Sequence, residues 1–131
     1  MKKTILYTAK APAAIGPYSQ GTALGDLVFL SGQLGFDPTG ALPQGAEAQA
    51  RCAMENIGAI LQSQGMGYEN ILKTTIFLTD LGQFGPVNEV YASFFSGDYP
   101  ARSCVQVAAL PKGGAVEIEV IAAKGSSPKP G

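Results

Sequence analysis

Two segments near the end of the chain, residues 99–107 and 116–120, alternate polar and apolar side chains. This period of two is typical of half-buried β-strands. One face of the first segment carries a guanidinium and a thiol, Arg102 and Cys104, and one face of the second carries two carboxylates, the first of which is Glu117. If the two strands lie close together in one sheet, we expect Arg102 and Glu117 to line one cleft.

The chemistry of these side chains suggests a small acid as ligand. Arginine presents a planar fork of donors that fits a carboxylate, and each charge-assisted hydrogen bond contributes about 1.5–3 kcal/mol. A nearby glutamate can orient and deprotonate a water molecule. The pair therefore suggests hydrolysis, with Arg102 as anchor and Glu117 as base. The strand pattern does not distinguish Glu117 from Glu119, and it equally allows Arg102 and Glu117 to form a structural ion pair.

The composition narrows the class of protein. A chain of 131 residues with 46% hydrophobic and 15% charged residues is typical of one globular domain. The net charge of −1 provides no basic stripe, so the sequence makes nucleic-acid binding an improbable function. We find no run of membrane length and no N-terminal apolar run long enough for a signal peptide, so we expect a soluble, cytoplasmic protein.

Histidine is absent from the chain. A Ser-His-Asp triad, a Cys-His pair and a histidine-based metal site are therefore excluded. The two cysteines, Cys52 and Cys104, lie far apart and form no zinc-binding motif. Since no histidine is available to activate the thiol, we expect Cys104 to be a small packed side chain, and a nucleophilic role is the weaker interpretation. The sequence predicts no metal site.

Hydrophobic periodicity and the glycine and proline positions predict the elements and their order. The order is strand, strand, strand, helix, strand, helix, strand, strand, over residues 3–8, a stretch ending at 24, 27–33, 46–64, 70–79, 86–97, 99–107 and 116–120. Two amphipathic helices most simply cover one face of a mixed sheet, which predicts an α+β fold. The other face has small and apolar residues, so we expect other subunits to cover it. Residues 1–124 form one predicted domain, and 125–131 a disordered tail.

Several short motifs resemble those of the Rid (YjgF/YER057c/UK114) family, and most closely the RidA-type 2-iminobutanoate/2-iminopropanoate deaminases. The motifs are Pro17-Tyr18-Ser19-Gln20, Ser31-Gly32-Gln33, Val87-Asn88, Pro100-Ala101-Arg102-Ser103-Cys104-Val105, Leu110-Pro111 and Val116-Glu117-Ile118-Glu119. The resemblance implies a chorismate-mutase-like fold, with a six-stranded sheet and two helices. It also implies a barrel-like homotrimer with sites between subunits, and hydrolysis of 2-imino acids or their enamine tautomers to 2-oxo acids and ammonia.

The resemblance also assigns residues. It implies that Arg102 holds the substrate carboxylate and that Glu117 orients the water. It implies pocket positions at Tyr18, Ser31, Gly32, Asn88 and Cys104, with no metal or organic cofactor. Each of these has a plainer interpretation as well: Tyr18 in packing, Ser31 and Gly32 at the end of a strand, and Asn88 bound to its own backbone.

Three functions remain open at this point. The first is a trimeric imine deaminase, and the second is a trimeric module that binds or senses small carboxylates without turnover. The third is a ribonuclease or translation inhibitor, an activity attributed to some family members, and the acidic balance and the lack of histidine make it the weakest.

Overall fold

The computed structural model describes residues 1–125, and the predicted tail beyond Gly125 lies outside the described residues. The eight helices and strands follow the predicted order. They are β1 (Thr4–Leu6), β2 (Gly21–Leu24), β3 (Leu27–Leu34), α1 (Ala46–Ser63), β4 (Ile71–Leu78), α2 (Phe84–Ala92), β5 (Ala101–Gln106) and β6 (Val116–Ala123).

All six strands form one mixed sheet in the order β1-β2-β3-β6-β4-β5. Every pairing is antiparallel except that of β4 with β5, which are parallel because α2 carries the chain back across the sheet between them. The α+β prediction with six strands and two helices is thus confirmed. The two strands that are neighbours in sequence, β5 and β6, are not neighbours in the sheet, because β4 lies between them.

Both helices pack on the same face of the sheet. The core between the layers comes from the apolar stripe of α1, the inner side of α2 and the inward residues of β3, β4 and β6; its fully buried members include Met54, Ile57, Ile60, Leu61, Val87, Val28, Ile76, Leu78 and Ile118. Among residues 1–125, no helix has the length and apolarity needed to cross a bilayer.

The second helix ends earlier than predicted. The expected end at Gly97 is wrong, because α2 stops at Ala92. The amides of Phe94 and Phe95 bond to carbonyls three residues back, which tightens the chain out of the α-helix. Both rings then pack beside Tyr68, with the Phe94 and Tyr68 ring centroids 5.1 Å apart. The apolar character of this segment was therefore predicted correctly, whereas the α-helical conformation predicted for it is not observed.

The opposite face of the sheet has no covering layer within residues 1–125. Large apolar side chains lie exposed on it: Leu27, Phe29 and Val105 have exposed fractions of 44%, 42% and 42%. The face is less uniformly apolar than predicted, since it also carries Glu117 and Glu119 on β6. It combines an apolar surface with a localised group of carboxylates.

Candidate active site

A β-bulge in β3 opens the sheet beside Glu117. The register between β3 and β6 passes from Leu30 opposite Val120 to Gln33 opposite Ile118, so one strand has an extra residue within Ser31-Gly32. The strand predicted over residues 27–33 is confirmed, since β3 runs through the bulge to Leu34, although the bulge itself was not predicted.

The Glu117 side chain lies directly over Gly32. An ideal Cβ built on Gly32 would be 2.8 Å from the carboxyl carbon of Glu117. Real Cβ atoms essentially never come so close, so the absence of a side chain at Gly32 is what leaves room for this carboxylate.

Glu117 and Glu119 both line an open groove of about 1230 Å³. The groove is bounded by the loop after β1, the bulge, the loop that follows β3, and the turn before β6; its lining includes Ala11, Pro12, Ile15, Tyr18, Ser31, Gly32, Asp37, Lys112, Glu117 and Glu119. Four of the predicted site residues, Tyr18, Ser31, Gly32 and Glu117, thus come together here. We refer to this cavity as the groove.

The electrostatics of the groove distinguish the two glutamates. Burial raises the pKa of the half-buried Glu117 carboxyl, and the nearby charge of Glu119 raises it further. Glu119 itself is exposed. A carboxylate whose pKa lies closer to neutrality is the better proton acceptor at neutral pH. Of the two glutamates, Glu117 is thus the half-buried one that lies over Gly32, whereas Glu119 faces solvent.

Ser31 and Tyr18 present polar groups at the rim of the groove. The Ser31 hydroxyl donates a 2.5 Å hydrogen bond to the Ser19 carbonyl, so its hydrogen is engaged and its lone pairs are left to accept from a ligand. The Tyr18 hydroxyl accepts a hydrogen bond from the Ile15 amide at 3.4 Å, and 54% of the side chain is exposed.

Arg102 belongs to a second cluster, which forms against α2. Its Nη1 donates a 2.6 Å hydrogen bond to Oδ1 of Asn88. The guanidinium carbon lies 5.3 Å from the centroid of the Phe84 ring and 5.1 Å from that of Tyr91, both within cation–π range. Among residues 1–125, Arg102 has no carboxylate partner, so most of its five N–H donors are available to a ligand.

Cys104 follows Arg102 on the same face of β5 and packs against the core. Burial raises the pKa of its thiol, and the Arg102 charge opposes that shift less strongly. The thiol is therefore protonated at neutral pH, which agrees with its expected role as a packed side chain.

The two clusters lie on opposite faces of one sheet. Arg102 is opposite Thr74 of β4, whereas Glu117 is opposite Phe77 of the same strand. Positions 74 and 77 are an odd number of residues apart, and side chains alternate between faces along a strand. The expectation that Arg102 and Glu117 line one cleft is therefore wrong within a single chain.

Sequence reasoning overlooked the residues that support the predicted ones. Phe84 and Tyr91 pack against the Arg102 guanidinium, and neither is among the predicted site residues. Gln20 is known from the sequence only as the last residue of the Pro17-Tyr18-Ser19-Gln20 motif, yet its buried side chain lines the groove and makes several hydrogen bonds. An uncharged polar residue in a loop next to a strand is a weak signal for such a role.

Comparison with known proteins places this chain and its fold in a defined family. The family model described as Endoribonuclease L-PSP matches residues 8–124. Over 94% of its length the chain is 46% identical to the mouse 2-iminobutanoate/2-iminopropanoate deaminase, covering 93% of that protein. The crystal structure of Escherichia coli TdcF with bound serine is 49% identical, with a TM-score of 0.89 over 92% of this chain and 98% of that one. RidA from an Antarctic Psychrobacter is 50% identical, with the same TM-score and coverage.

The protein is thus an α+β protein of the class described by the Endoribonuclease L-PSP model. The chain belongs to the Rid (YjgF/YER057c/UK114) family and is a RidA-type member of it.

Proposed function

We propose that this protein hydrolyses 2-imino acids, or their enamine tautomers, to 2-oxo acids and ammonia. The observation that carries the proposal is the pair of clusters: a guanidinium with free donors beside Asn88, and a half-buried carboxylate over Gly32 in an open groove. One is suited to hold a carboxylate and the other to activate water. The relatives named 2-iminobutanoate/2-iminopropanoate deaminase support the same reaction.

In the proposed reaction, Arg102 holds the substrate carboxylate and Glu117 accepts a proton from water as the oxygen attacks the C=N carbon. The C–O bond forms while the C=N π electrons move to nitrogen. Glu117 passes this proton to the nitrogen, which gives the neutral carbinolamine. It then takes the carbinolamine O–H proton and delivers it to the same nitrogen, so that the C–N bond breaks, ammonia leaves and the C=O group forms. Ser31, with its lone pairs facing the groove rim, suits the N–H groups of the substrate, while Tyr18, Gly32, Asn88 and Cys104 shape the pocket.

The opposite placement of Arg102 and Glu117 leads to the second part of the proposal. A site that uses both is completed between two copies of the chain, one contributing the arginine cluster and the next the groove. The exposed apolar residues on the groove side of the sheet, Phe29 and Val105 among them, support such an association. We propose a homotrimer with three such sites.

The bound serine in the E. coli relative supports the ligand class. Serine carries a carboxylate and an α-nitrogen, the two groups that a 2-imino acid also presents. A protein that only bound such ligands would contain the same clusters, so turnover must be measured directly.

The test is release of ammonia and 2-oxobutanoate when the protein is added to threonine dehydratase. Acceleration is expected, and Arg102→Ala and Glu117→Gln should each abolish it. An unchanged rate of imine decay, together with binding of 2-oxobutanoate, would instead establish the binding module. An RNA-cleavage assay on the same preparation tests the ribonuclease alternative. The charge of the groove does not favour this alternative, because its lining has three carboxylates, Asp37, Glu117 and Glu119, and only two lysines.

A mixing experiment tests the shared site. Arg102→Ala and Glu117→Gln chains, unfolded together and refolded at equal ratio, should recover about a quarter of wild-type activity, since that fraction of random interfaces joins an intact arginine to an intact glutamate. If both groups acted within one chain, every site would lack one of them and the mixture would stay inactive.

A further inference from the structure

Gln20 lies between the sheet and the loop that forms one wall of the groove, and only 2% of its surface is exposed. We infer that Gln20 is a positioning residue, whose side chain fixes this wall at the distance from Glu117 and Ser31 that ligand binding requires. The inference rests on the proposed function, because it assigns to the groove the ligand of that reaction.

The Gln20 amide group is fully used in contacts to the wall. Its Oε1 accepts a 2.7 Å hydrogen bond from the Thr8 amide. Its Nε2 donates to the carbonyls of Thr8 at 3.0 Å and Pro12 at 2.9 Å, with a longer contact to Ala11 at 3.4 Å. One side chain therefore binds both ends of the segment from Thr8 to Pro12.

The segment has few other attachments. Residues 9–15 form no backbone–backbone hydrogen bond within the described part of the chain. The Lys10 amide donates to the Thr8 hydroxyl at 3.2 Å, a bond within the same segment, and the Ile15 amide donates to Tyr18 at 3.4 Å. The Gln20 side chain is thus the polar link between this wall and the sheet behind it.

Gln20 also contacts the floor of the groove. Its backbone carbonyl accepts a 2.9 Å hydrogen bond from the Ser31 amide, at the bulge that exposes Gly32. Ala11 and Pro12, which the side chain holds, line the groove with Glu117. Because Gln20 binds both the wall segment and the bulge at Ser31, the distance between wall and floor depends on Gln20.

Amide hydrogen exchange tests the contact in the unaltered protein. The Thr8 amide should exchange at least about tenfold more slowly than in an unstructured chain, because its N–H donates a hydrogen bond to the buried Oε1 of Gln20. Exchange of Thr8 at the unstructured rate would show that the tether is absent and would overturn the inference.

Variants test the consequence for binding. Gln20→Met keeps the shape and removes every polar contact, so we expect faster exchange at Thr8 and a Kd for 2-oxobutanoate raised about three- to tenfold. The KM for imine should rise similarly while kcat changes little, because the water-activating group is untouched. Gln20→Glu retains an acceptor for the Thr8 amide but loses the two N–H donors. The Thr8 amide should therefore stay protected from exchange, while the binding of 2-oxobutanoate is still weakened. This variant serves as the test if Gln20→Met does not fold.

Gln49→Met is the matched control. Gln49 is equally buried and holds Pro43 and Ala115 by its own amide group, so the change removes similar contacts from another place. It should leave exchange at Thr8 unchanged. Faster exchange at Thr8 in Gln20→Met with an unchanged Kd for 2-oxobutanoate would reduce Gln20 to a structural role and overturn the inference. If wild-type protein fails to accelerate imine decay, the proposed hydrolysis fails, while exchange and 2-oxobutanoate binding still decide the role of Gln20.

Discussion

The hydroxyl groups of Thr74 and Tyr91 lie 2.8 Å apart in the buried layer between the sheet and α2. Thr74 is on β4, opposite Arg102 in the sheet, and the Tyr91 ring packs against the Arg102 guanidinium. The hydrogen bond therefore links β4, the strand paired with that of Arg102, to the Tyr91 ring that contacts the guanidinium. It satisfies two hydroxyl groups that have almost no access to water.

Removing one partner of this pair should destabilise the protein more than removing both. Tyr91→Phe leaves the Thr74 hydroxyl buried without its partner, which costs about 1–3 kcal/mol of unfolding free energy. The double variant Thr74→Val/Tyr91→Phe replaces both partners with apolar groups of similar shape and should recover most of that loss. Chemical denaturation of the single and double variants measures the difference. Additive losses would mean that the two hydroxyls contribute independently.

Gly32→Ala should impair catalysis. The added methyl group would lie 2.8 Å from the carboxyl carbon of Glu117 and displace the carboxylate from the groove floor. A misplaced base typically lowers kcat/KM by about 100-fold. Gly85→Ala is the control, because nothing lies within 4 Å of a Cβ at Gly85, and alanine within α2 should stabilise the helix by about 0.5–1 kcal/mol. Equal activity of the two variants would contradict the assigned position of Glu117.

Glu119 should set part of the pH dependence. Since the base must be ionised, activity is lost as the pH falls through the pKa of Glu117, which burial and Glu119 raise. Glu119→Gln removes the repulsion, so the acid limb of kcat/KM should move to lower pH, while the larger effect of burial keeps it above that of an ordinary glutamate. Glu47→Gln, on exposed α1 surface, should leave the limb in place. A limb unmoved by Glu119→Gln would identify a different titrating group.

Cys104 should react slowly with alkylating agents. In a Cys52→Ser background, the iodoacetamide rate of Cys104 should reach half its maximum at a pH above that of free cysteine, because burial raises the thiol pKa. Mass spectrometry of the modified chain follows the reaction. Rapid alkylation at neutral pH would reveal a thiolate and restore the nucleophilic interpretation.

Local patterns predicted the elements well because each pattern reflects a local cause. The stripe on α1 and the alternation along β5 and β6 follow directly from burial on one side. Pairing between strands depends on contacts across the sheet, and the insertion of β4 between β5 and β6 leaves no trace in either strand. The faces of Arg102 and Glu117 were therefore known within each strand but not relative to one another.

Two other features depend on distant contacts and so were not predicted. Ser31-Gly32 has the composition of a strand end, and only pairing with β6 shows that it is a bulge. The Gln20 side chain binds Thr8 and Pro12, which precede it by 12 and 8 positions, and no periodicity in the sequence indicates contacts at such separations. The family motifs, by contrast, carried the site residues directly, and the structure brings Tyr18, Ser31, Gly32 and Glu117 into one groove.

The bulge also fixes the length of its own strand. Just beyond it, Gly35 passes so close to α1 that a Cβ there would meet the backbone of Gln49. Deleting one residue between Leu30 and Gln33 would move Phe36 into that narrow crossing, and inserting one would move Leu34 there. Insertions and deletions should therefore be excluded from this stretch, because a change of one residue in its length would press a side chain against the backbone of Gln49, fourteen residues after Gly35.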